Sequence, residues 1–273
     1  MADSTRPARP THVLTVESTE RVGPHVVRVV LAGDSLADFT ENGFTDSYVK
    51  LVFVDPTLGL EPPYDLRELR QTLPSEQQPI VRTYTVRWVD RATRRLAIDF
   101  VTHDASATDG VAAPWAARAV PGDRLVLTGP GGAYAPDPGA TFHLLAGDLS
   151  ALPAISAALA ALPENAGGVA LLEIGDPADE LPLRTKAAVE IRWLVNPDPD
   201  DTGFLARAVA AIDWPEGVQA FVHGERESVK AVRAVLRERA VPREALSISA
   251  YWARGRTEDV FQAEKREPIG KID

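Results

Sequence analysis

The hydrophobic period changes partway along the chain, after Pro138, and that change constrains the fold more than any single residue. Before it, apolar residues fall in short runs rich in Val, Thr and aromatics: Thr11–Thr19, Val26–Leu31, Tyr48–Val54, Arg82–Val89, Leu96–Val101 and Arg124–Thr128. Gly, Pro and Asp punctuate them, which predicts the strands of a small antiparallel β-barrel. After it, strand-like Phe142–Ala146, Val169–Ile174, Ile191–Val195, Ala220–Val222 and Leu246–Ala250 alternate with helix-periodic Leu152–Leu162, Phe204–Ile212 and Ser228–Arg239. That alternation predicts a parallel sheet with helices on both faces, an α/β domain of nucleotide-binding type. Thr257–Lys265 reads as a terminal helix, with Thr257 as cap and Glu258 and Asp259 in its first turn. The expectation is a barrel over residues 9–137 and an α/β domain over residues 138–273.

A length of 273 residues is enough for two such domains. Between Asp55 and Arg82 runs a long connection holding Pro56, Pro62, Pro63, Pro74 and Pro79. Inside a barrel, a connection of that length reads as a lid, a binding loop or a mobile segment. Lys50 interrupts the apolar run Tyr48-Val-Lys-Leu-Val-Phe-Val54, so one face of that strand meets something other than core.

Composition narrows the chemistry. The chain has no cysteine, which excludes a disulfide scaffold, an iron–sulfur cluster, a thiolate zinc site and a cysteine nucleophile. Any redox chemistry must be borrowed from a bound cofactor. The five histidines, His12, His25, His103, His143 and His223, have no metal-ligand spacing, so no built-in metal site is expected. Lys and Arg number 29 against 39 Asp and Glu, and the net charge of -10 disfavours nucleic acid or an anionic membrane as principal partner. No apolar run reaches the roughly 18 residues of a membrane span, and the N-terminus carries no apolar signal segment. A cytoplasmic monomer is expected.

Four segments carry candidate chemistry. In Arg82-Thr-Tyr-Thr85, a guanidinium, an aromatic ring and a short hydroxyl match what a dinucleotide flavin needs at its pyrophosphate, its isoalloxazine and its reactive ring nitrogen. The same residues also read as an ordinary strand with a surface Arg and a half-buried Tyr. Downstream, Asp99–His103 and Gly110-Val-Ala-Ala-Pro-Trp115 place small residues and Pro114 at the start of a short helix, where open N–H groups suit a phosphate. His103 fits either a flavin contact or a structural role, and Trp115 reads as a packing anchor. Val120–Gly132 is a turn, a strand and a glycine-rich bend. In Leu144-Leu-Ala-Gly-Asp-Leu-Ser-Ala151, Gly147, Asp148, Ser150 and Ala151 fall at the carboxyl end of the first parallel strand, where open α/β sheets bind nucleotides. The chain has no G-x-G-x-x-G there, so a looser nicotinamide site is expected rather than a standard dinucleotide fold.

In this order and spacing, these segments together with Tyr251-Trp-Ala-Arg-Gly-Arg-Thr-Glu-Asp259 resemble the siderophore-interacting proteins, ferric-siderophore reductases of the ferredoxin-reductase-like flavoproteins. The likeness runs from about Thr11 to Lys265. It implies an FAD-binding barrel with Arg82, Tyr84 and Thr85 holding the flavin, His103 beside it, and Gly110, Ala112 and Ala113 at the pyrophosphate. It implies an NADPH- or NADH-binding domain whose Gly147–Ala151 turn brings nicotinamide to the flavin, with Thr85 near the hydride-accepting nitrogen. Lys50 and Arg254 correspond to basic residues that hold a ferric siderophore. The chain departs from the pattern at Gly131, where related sequences often carry an Arg, and at Val111, Ala113 and Leu149. The implied activity is transfer of electrons from NAD(P)H through FAD to siderophore-bound Fe(III). A ferredoxin-driven reductase, another flavin oxidoreductase of the same fold, and a non-catalytic siderophore or flavin binder remain open on the same residues.

Overall fold

The computed structural model describes residues 10–102 and 110–272. Six strands, β1 (Thr11–Gly23), β2 (Val26–Ala32), β3 (Tyr48–Phe53), β4 (Ile80–Asp90), β5 (Arg95–Val101) and β6 (Arg124–Gly131), close into an antiparallel barrel in the order β1-β2-β5-β4-β3-β6. Alternation explains the closure. Leu14, Val29, Leu31, Val49, Leu51, Leu96, Ile98, Phe100 and Leu127 point inward and are fully buried, forming one core. A short helix, α2 (Ala112–Arg118), stops one end, with Trp115 set edge-on to Phe53 and tilted against Phe100.

The connection between β3 and β4 is more ordered than its prolines suggest. It holds helix α1 (Leu66–Thr72), whose cap Asp65 accepts from Arg67 N and Glu68 N. None of its residues is buried, so no apolar period announced it.

The second half holds five parallel strands, β7 (Phe142–Asp148), β8 (Gly167–Ile174), β9 (Ala188–Val195), β10 (Val218–Glu225) and β11 (Leu246–Trp252), in the order β11-β10-β7-β8-β9. Helix α3 (Leu152–Ala161) covers one face over Leu145 and Phe221. Helices α4 (Phe204–Ala210) and α5 (Arg226–Glu238) cover the other over Leu144 and Val222. The chain runs outward from β7 to β9, then returns to β7's other side with β10. The crevice between the carboxyl ends of β7 and β10 is therefore the topological switch point.

Several contacts seat the barrel on the sheet. Helix α3 packs on β4. Asp46, just before β3, accepts from Ala133 N and Tyr134 N at 2.9 Å each, sewing the link after β6 to the barrel. In the β1–β2 turn, His25 meets the fully buried Asp179 twice, through its backbone N at 2.9 Å and its Nδ1 at 2.6 Å. Gly23 permits this approach, since a Cβ there would lie 2.9 Å from Asp179 Oδ1. The last helix, α6 (Glu258–Glu264), is capped by Thr257 and buries Phe261. No helix among the described residues is long and apolar enough to cross a membrane.

Candidate functional site

Strand β4 delivers the flavin-type motif to the junction of barrel and sheet. Arg82 forms a bidentate ion pair with Asp259 of α6, Nη1 to Oδ1 at 2.9 Å and Nη2 to Oδ2 at 3.0 Å. Its side chain is only 11% exposed whereas that of Asp259 is 75% exposed, so the acid is the partner that can leave. Tyr84 lies 4.5 Å from Phe100, ring centre to ring centre. Burial raises the Tyr84 phenol's pKa well above its usual value, and the Glu258 charge adds to this while Arg82 opposes it. Thr85 is buried and pairs across the ladder with Tyr48.

Tyr251, near the end of β11, reaches the same place from the sheet. Burial raises its phenol's pKa, Asp46 adds to the rise, and a hydrogen bond with Thr85 opposes it. The Tyr251 ring stands edge-on to His223, which stacks on Phe221 at 3.9 Å. Tyr251 of the sheet and Thr85 of the barrel thus stand close together where the two halves meet.

Lys50 pairs with Thr83 on β4 and donates to its hydroxyl, with Nζ 5.6 Å from the centre of the Tyr48 ring. Tyr48 also fills the space at Gly131, where any Cβ would fall 2.5 Å from the ring. Lys265, at the end of α6, stands near enough to Lys50 to feel its charge. Burial lowers the Lys265 pKa, Glu258 opposes this and Lys50 adds to it. Arg254 sits elsewhere. Its backbone N donates to Glu225 Oε1, and its guanidinium lies 3.6 Å from Asp200 and 5.7 Å from the Trp252 ring centre.

At the switch point, Asp148 ties three strand ends together. Oδ1 accepts from Ser150 N and Ser150 Oγ, and Oδ2 accepts from Glu225 N and Trp252 Nε1, both at 2.8 Å. Burial raises the Asp148 carboxyl's pKa and these hydrogen bonds oppose the rise. Gly147 is required by packing, since a Cβ there would lie 2.4 Å from His223 O and 2.6 Å from Ala151 Cβ. Ala151 is fully buried. On the next strand Glu173 stands beside Asp148 and accepts from Asn196 Nδ2 at 2.7 Å. Its pKa is raised by burial, lowered by that hydrogen bond and raised again by Asp148.

Near the barrel end, Gly110 has φ +134° and open space where a Cβ would stand. Ala112 faces the core and Ala113 is half-buried, at the start of a helix whose first residue before it, Val111, makes no side-chain cap. His103 lies outside the described residues.

Two family models match: the siderophore-interacting FAD-binding domain over residues 15–134 and the siderophore-interacting protein domain over residues 140–255. The chain is 37% identical to the ferric vibriobactin reductase ViuB of Vibrio cholerae over 252 residues, covering 89% of this chain and 90% of that protein. It belongs to the siderophore-interacting protein family. It is also 31% identical to the NADPH-dependent ferric-chelate reductase of Escherichia coli, covering 88% of this chain and 91% of that one. The siderophore-interacting protein SipS of Aeromonas hydrophila superposes with a TM-score of 0.81 at 29% identity, covering 97% of this chain and all of SipS.

The cofactor of the family's barrel is FAD, and the residues present fit it. Arg82 is a largely buried guanidinium whose exposed partner can yield to a phosphate, Gly110 leaves open backbone, and the half-buried Tyr84, backed by the core residue Phe100, gives an aromatic wall. Sequence reasoning alone did not find Asp259, Lys265, Tyr251 or Glu173 as parts of this site. Each lies on an element remote in sequence from the motif it joins; Arg82 and Asp259 are 177 residues apart.

Proposed function

We propose that the chain is an FAD-dependent ferric-siderophore reductase that draws electrons from NADH or NADPH and releases Fe(II) from a siderophore. The observation that supports this reading is Arg82, whose largely buried guanidinium in the barrel's flavin-type motif pairs with the exposed Asp259 of α6 and can exchange it for a phosphate. Its likeness to a ferric vibriobactin reductase and to a ferric-chelate reductase supports the same reading.

When bound, FAD supplies the conversion from two-electron hydride chemistry to single-electron transfer. The chain's own residues hold and shield it. Arg82 would neutralise the pyrophosphate, with the backbone from the open Gly110 to Ala113 as its other holder. Tyr84, backed by the buried Phe100, would wall the ring on the barrel side. Thr85 would offer its hydroxyl to the ring's reactive edge, and Tyr251 would keep bulk water from that point. The turn Gly147–Ala151, pinned through Asp148 and Ser150, shapes the crevice for the nicotinamide half of the donor. Lys50, with Lys265 beside it, presents positive charge to an iron complex, and Arg254 is the second candidate contact. One donor molecule gives two electrons, enough for two ferric ions. Reduction loosens the complex because hard oxygen ligands hold the ferrous ion far less well.

The test is an anaerobic absorbance titration of the FAD-loaded protein with NADH and NADPH, followed by a ferric siderophore and a ferrous-iron chelator. Bleaching of the flavin bands, then their return with coloured ferrous chelate, is the expected result. Bands that persist with both nucleotides but bleach with reduced ferredoxin would replace the donor. No bleaching with any donor would leave a binding protein.

A further inference from the structure

The sheet ends at β9, whose outer edge is open. Ala188 N donates to Ala166 O at 2.9 Å and Asn196 N to Ile174 O at 2.8 Å, and the strand keeps unbroken register with β8 between them. Backbone groups alternate sides along a paired strand, so Val189, Ile191, Trp193 and Val195 turn their N–H and C=O outward. Among the described residues no backbone hydrogen bond reaches that side. Edges are commonly guarded by a proline, a bulge or uncompensated charge. Strand β9 has no proline and no bulge, and its two charges, Glu190 and Arg192, are of opposite sign. The edge strand on the other side of the sheet, β11, does break its register, at Tyr251. Val189, Ile191 and Trp193 are half-buried on the α3 face, where Leu181, Leu183, Ile191 and Trp193 line a groove of about 400 Å³. Glu190 and Arg192 are exposed on the opposite face, joined from Arg192 Nε to Glu190 Oε1 at 2.8 Å and from Nη2 to Oε2 at 2.6 Å.

This strand is complementary to itself. Turned antiparallel about Ile191, two copies set Ile191 against Ile191, Val189 against Trp193, and Glu190 against Arg192. The first two pairings join residues whose backbone groups already point outward, as the hydrogen-bonded pairs of an antiparallel ladder require. The third falls at the non-hydrogen-bonded position, where Cα atoms come within about 4.5 Å and side chains lie closest. Symmetry makes it occur twice, so four charges of alternating sign close a ring on one face. The Glu190–Arg192 pair within each chain is exposed, and rearranging it costs little. We infer that β9 is a homodimer edge: a second copy of this chain adds its own β9 antiparallel, and two five-stranded sheets become one of ten strands. A foreign strand would need a matching alternation of charge, whereas a two-fold contact between copies has it by symmetry. Strand β8 separates this edge from the crevice at β7 and β10, so the pairing is independent of the proposed chemistry. One strand pair is small against the roughly 1,200 Å² of a stable interface, and association is expected at micromolar rather than nanomolar concentration.

Sedimentation velocity of the FAD-loaded protein from about 1 to about 300 µM tests this. The wild type is expected to shift from the mass of one chain to that of two. Arg192→Glu sets glutamates opposite glutamates, and Glu190→Arg sets arginines opposite arginines. Each alone is expected to raise the dimer dissociation constant at least about tenfold, with FAD content and far-ultraviolet circular dichroism at the wild-type level. An equimolar mixture of the two variants restores opposite charges at both positions and is expected to recover the dimer. A wild type that stays the monomer expected from the sequence at every concentration overturns the inference. So does a dimer that both reversals leave intact, which would put the contact on another surface. A mixture that stays monomeric while the wild type pairs overturns the charge ring and with it the assignment to β9. Each of these results leaves the reductase reading where it stands.

Discussion

Arg82 holds one guanidinium between two anions, Asp259 in the structure and the FAD pyrophosphate in the proposed function. The two compete, because the fork that grips Asp259 through two hydrogen bonds is the same fork that suits a phosphate. In the proposed function, flavin loading therefore costs the Arg82–Asp259 pair. Removing the cation by Arg82→Ala is expected to raise the FAD dissociation constant by roughly ten- to a hundredfold, the loss of a charge-assisted contact. Removing the competitor by Asp259→Asn is expected to lower it a few-fold. Fluorescence titration of the apoprotein reads both, and an Asp259→Asn protein that binds FAD more weakly would mean the pair orders the site instead of competing for it. Lys50→Ala is expected to spare FAD affinity and to raise the apparent KM for an anionic ferric complex; unchanged steady-state kinetics would remove Lys50 from the substrate face. At this scale the sequence was legible where chemistry is local. Arg82, Tyr84 and Thr85 are adjacent and announce themselves by type, whereas Asp259, Lys265 and Tyr251 gain meaning only from tertiary neighbours.

The elements were more legible than their ends. Inward-facing residues at every second position define the barrel strands, and the same alternation locates them in the sequence. Strand β10 shows what pattern alone misses: its apolar centre stands out at Ala220–Val222, but the strand continues through His223, Gly224 and Glu225. Those residues look like a turn and are all buried, because β11 pairs with all three while β7 pairs with His223 and its Asp148 carboxylate covers Gly224 and Glu225. Helix α1 was invisible for the opposite reason, since it buries nothing. The turn after β7 was legible as a strand-to-helix turn, but its rigidity was not, because it comes from Glu225 N and Trp252 Nε1 donating to Asp148 across the sheet. Gly147→Ala tests that rigidity. Its Cβ would press on backbone His223 O at 2.4 Å, so the strand ends must part. The expected cost is about 1–3 kcal/mol in urea unfolding together with loss of ADP-ribose binding. A protein of normal stability and normal affinity would show the crevice to be softer than its packing implies.

At the scale of the molecule, barrel and sheet share one stability because their contacts interlock at Asp46, Asp179, Asp259 and the Thr85–Tyr251 junction. The buried histidine beside that junction makes this stability depend on pH. His223 is 4% exposed, its Nε2 meets Ser247 Oγ at 3.0 Å, and its Nδ1 has no hydrogen-bond partner among the described residues. Burial pushes its imidazole down to about 3, because the charged ring would sit among Phe221 and Tyr251 without solvent. The unfolded chain can protonate this histidine near 6.5, but the folded chain cannot, so protons favour unfolding. The contribution is fully present above about pH 6.5 and is lost as pH falls toward 3, at about 1.4 kcal/mol per pH unit, or about 2 kcal/mol by pH 5. Burial lowers His143 in the same direction. Urea unfolding at pH 7.5, 6 and 5 is expected to show falling stability, with a shallower fall in His223→Phe, which keeps the ring stack and cannot ionise. The comparison between slopes decides the matter, since a poorly packed variant shifts the whole curve without changing its tilt. A wild-type curve that is flat from pH 7.5 to 5, or a variant curve parallel to it, would mean that His223 finds water or a counter-charge on ionisation, and that the junction between barrel and sheet opens more readily than its packing implies.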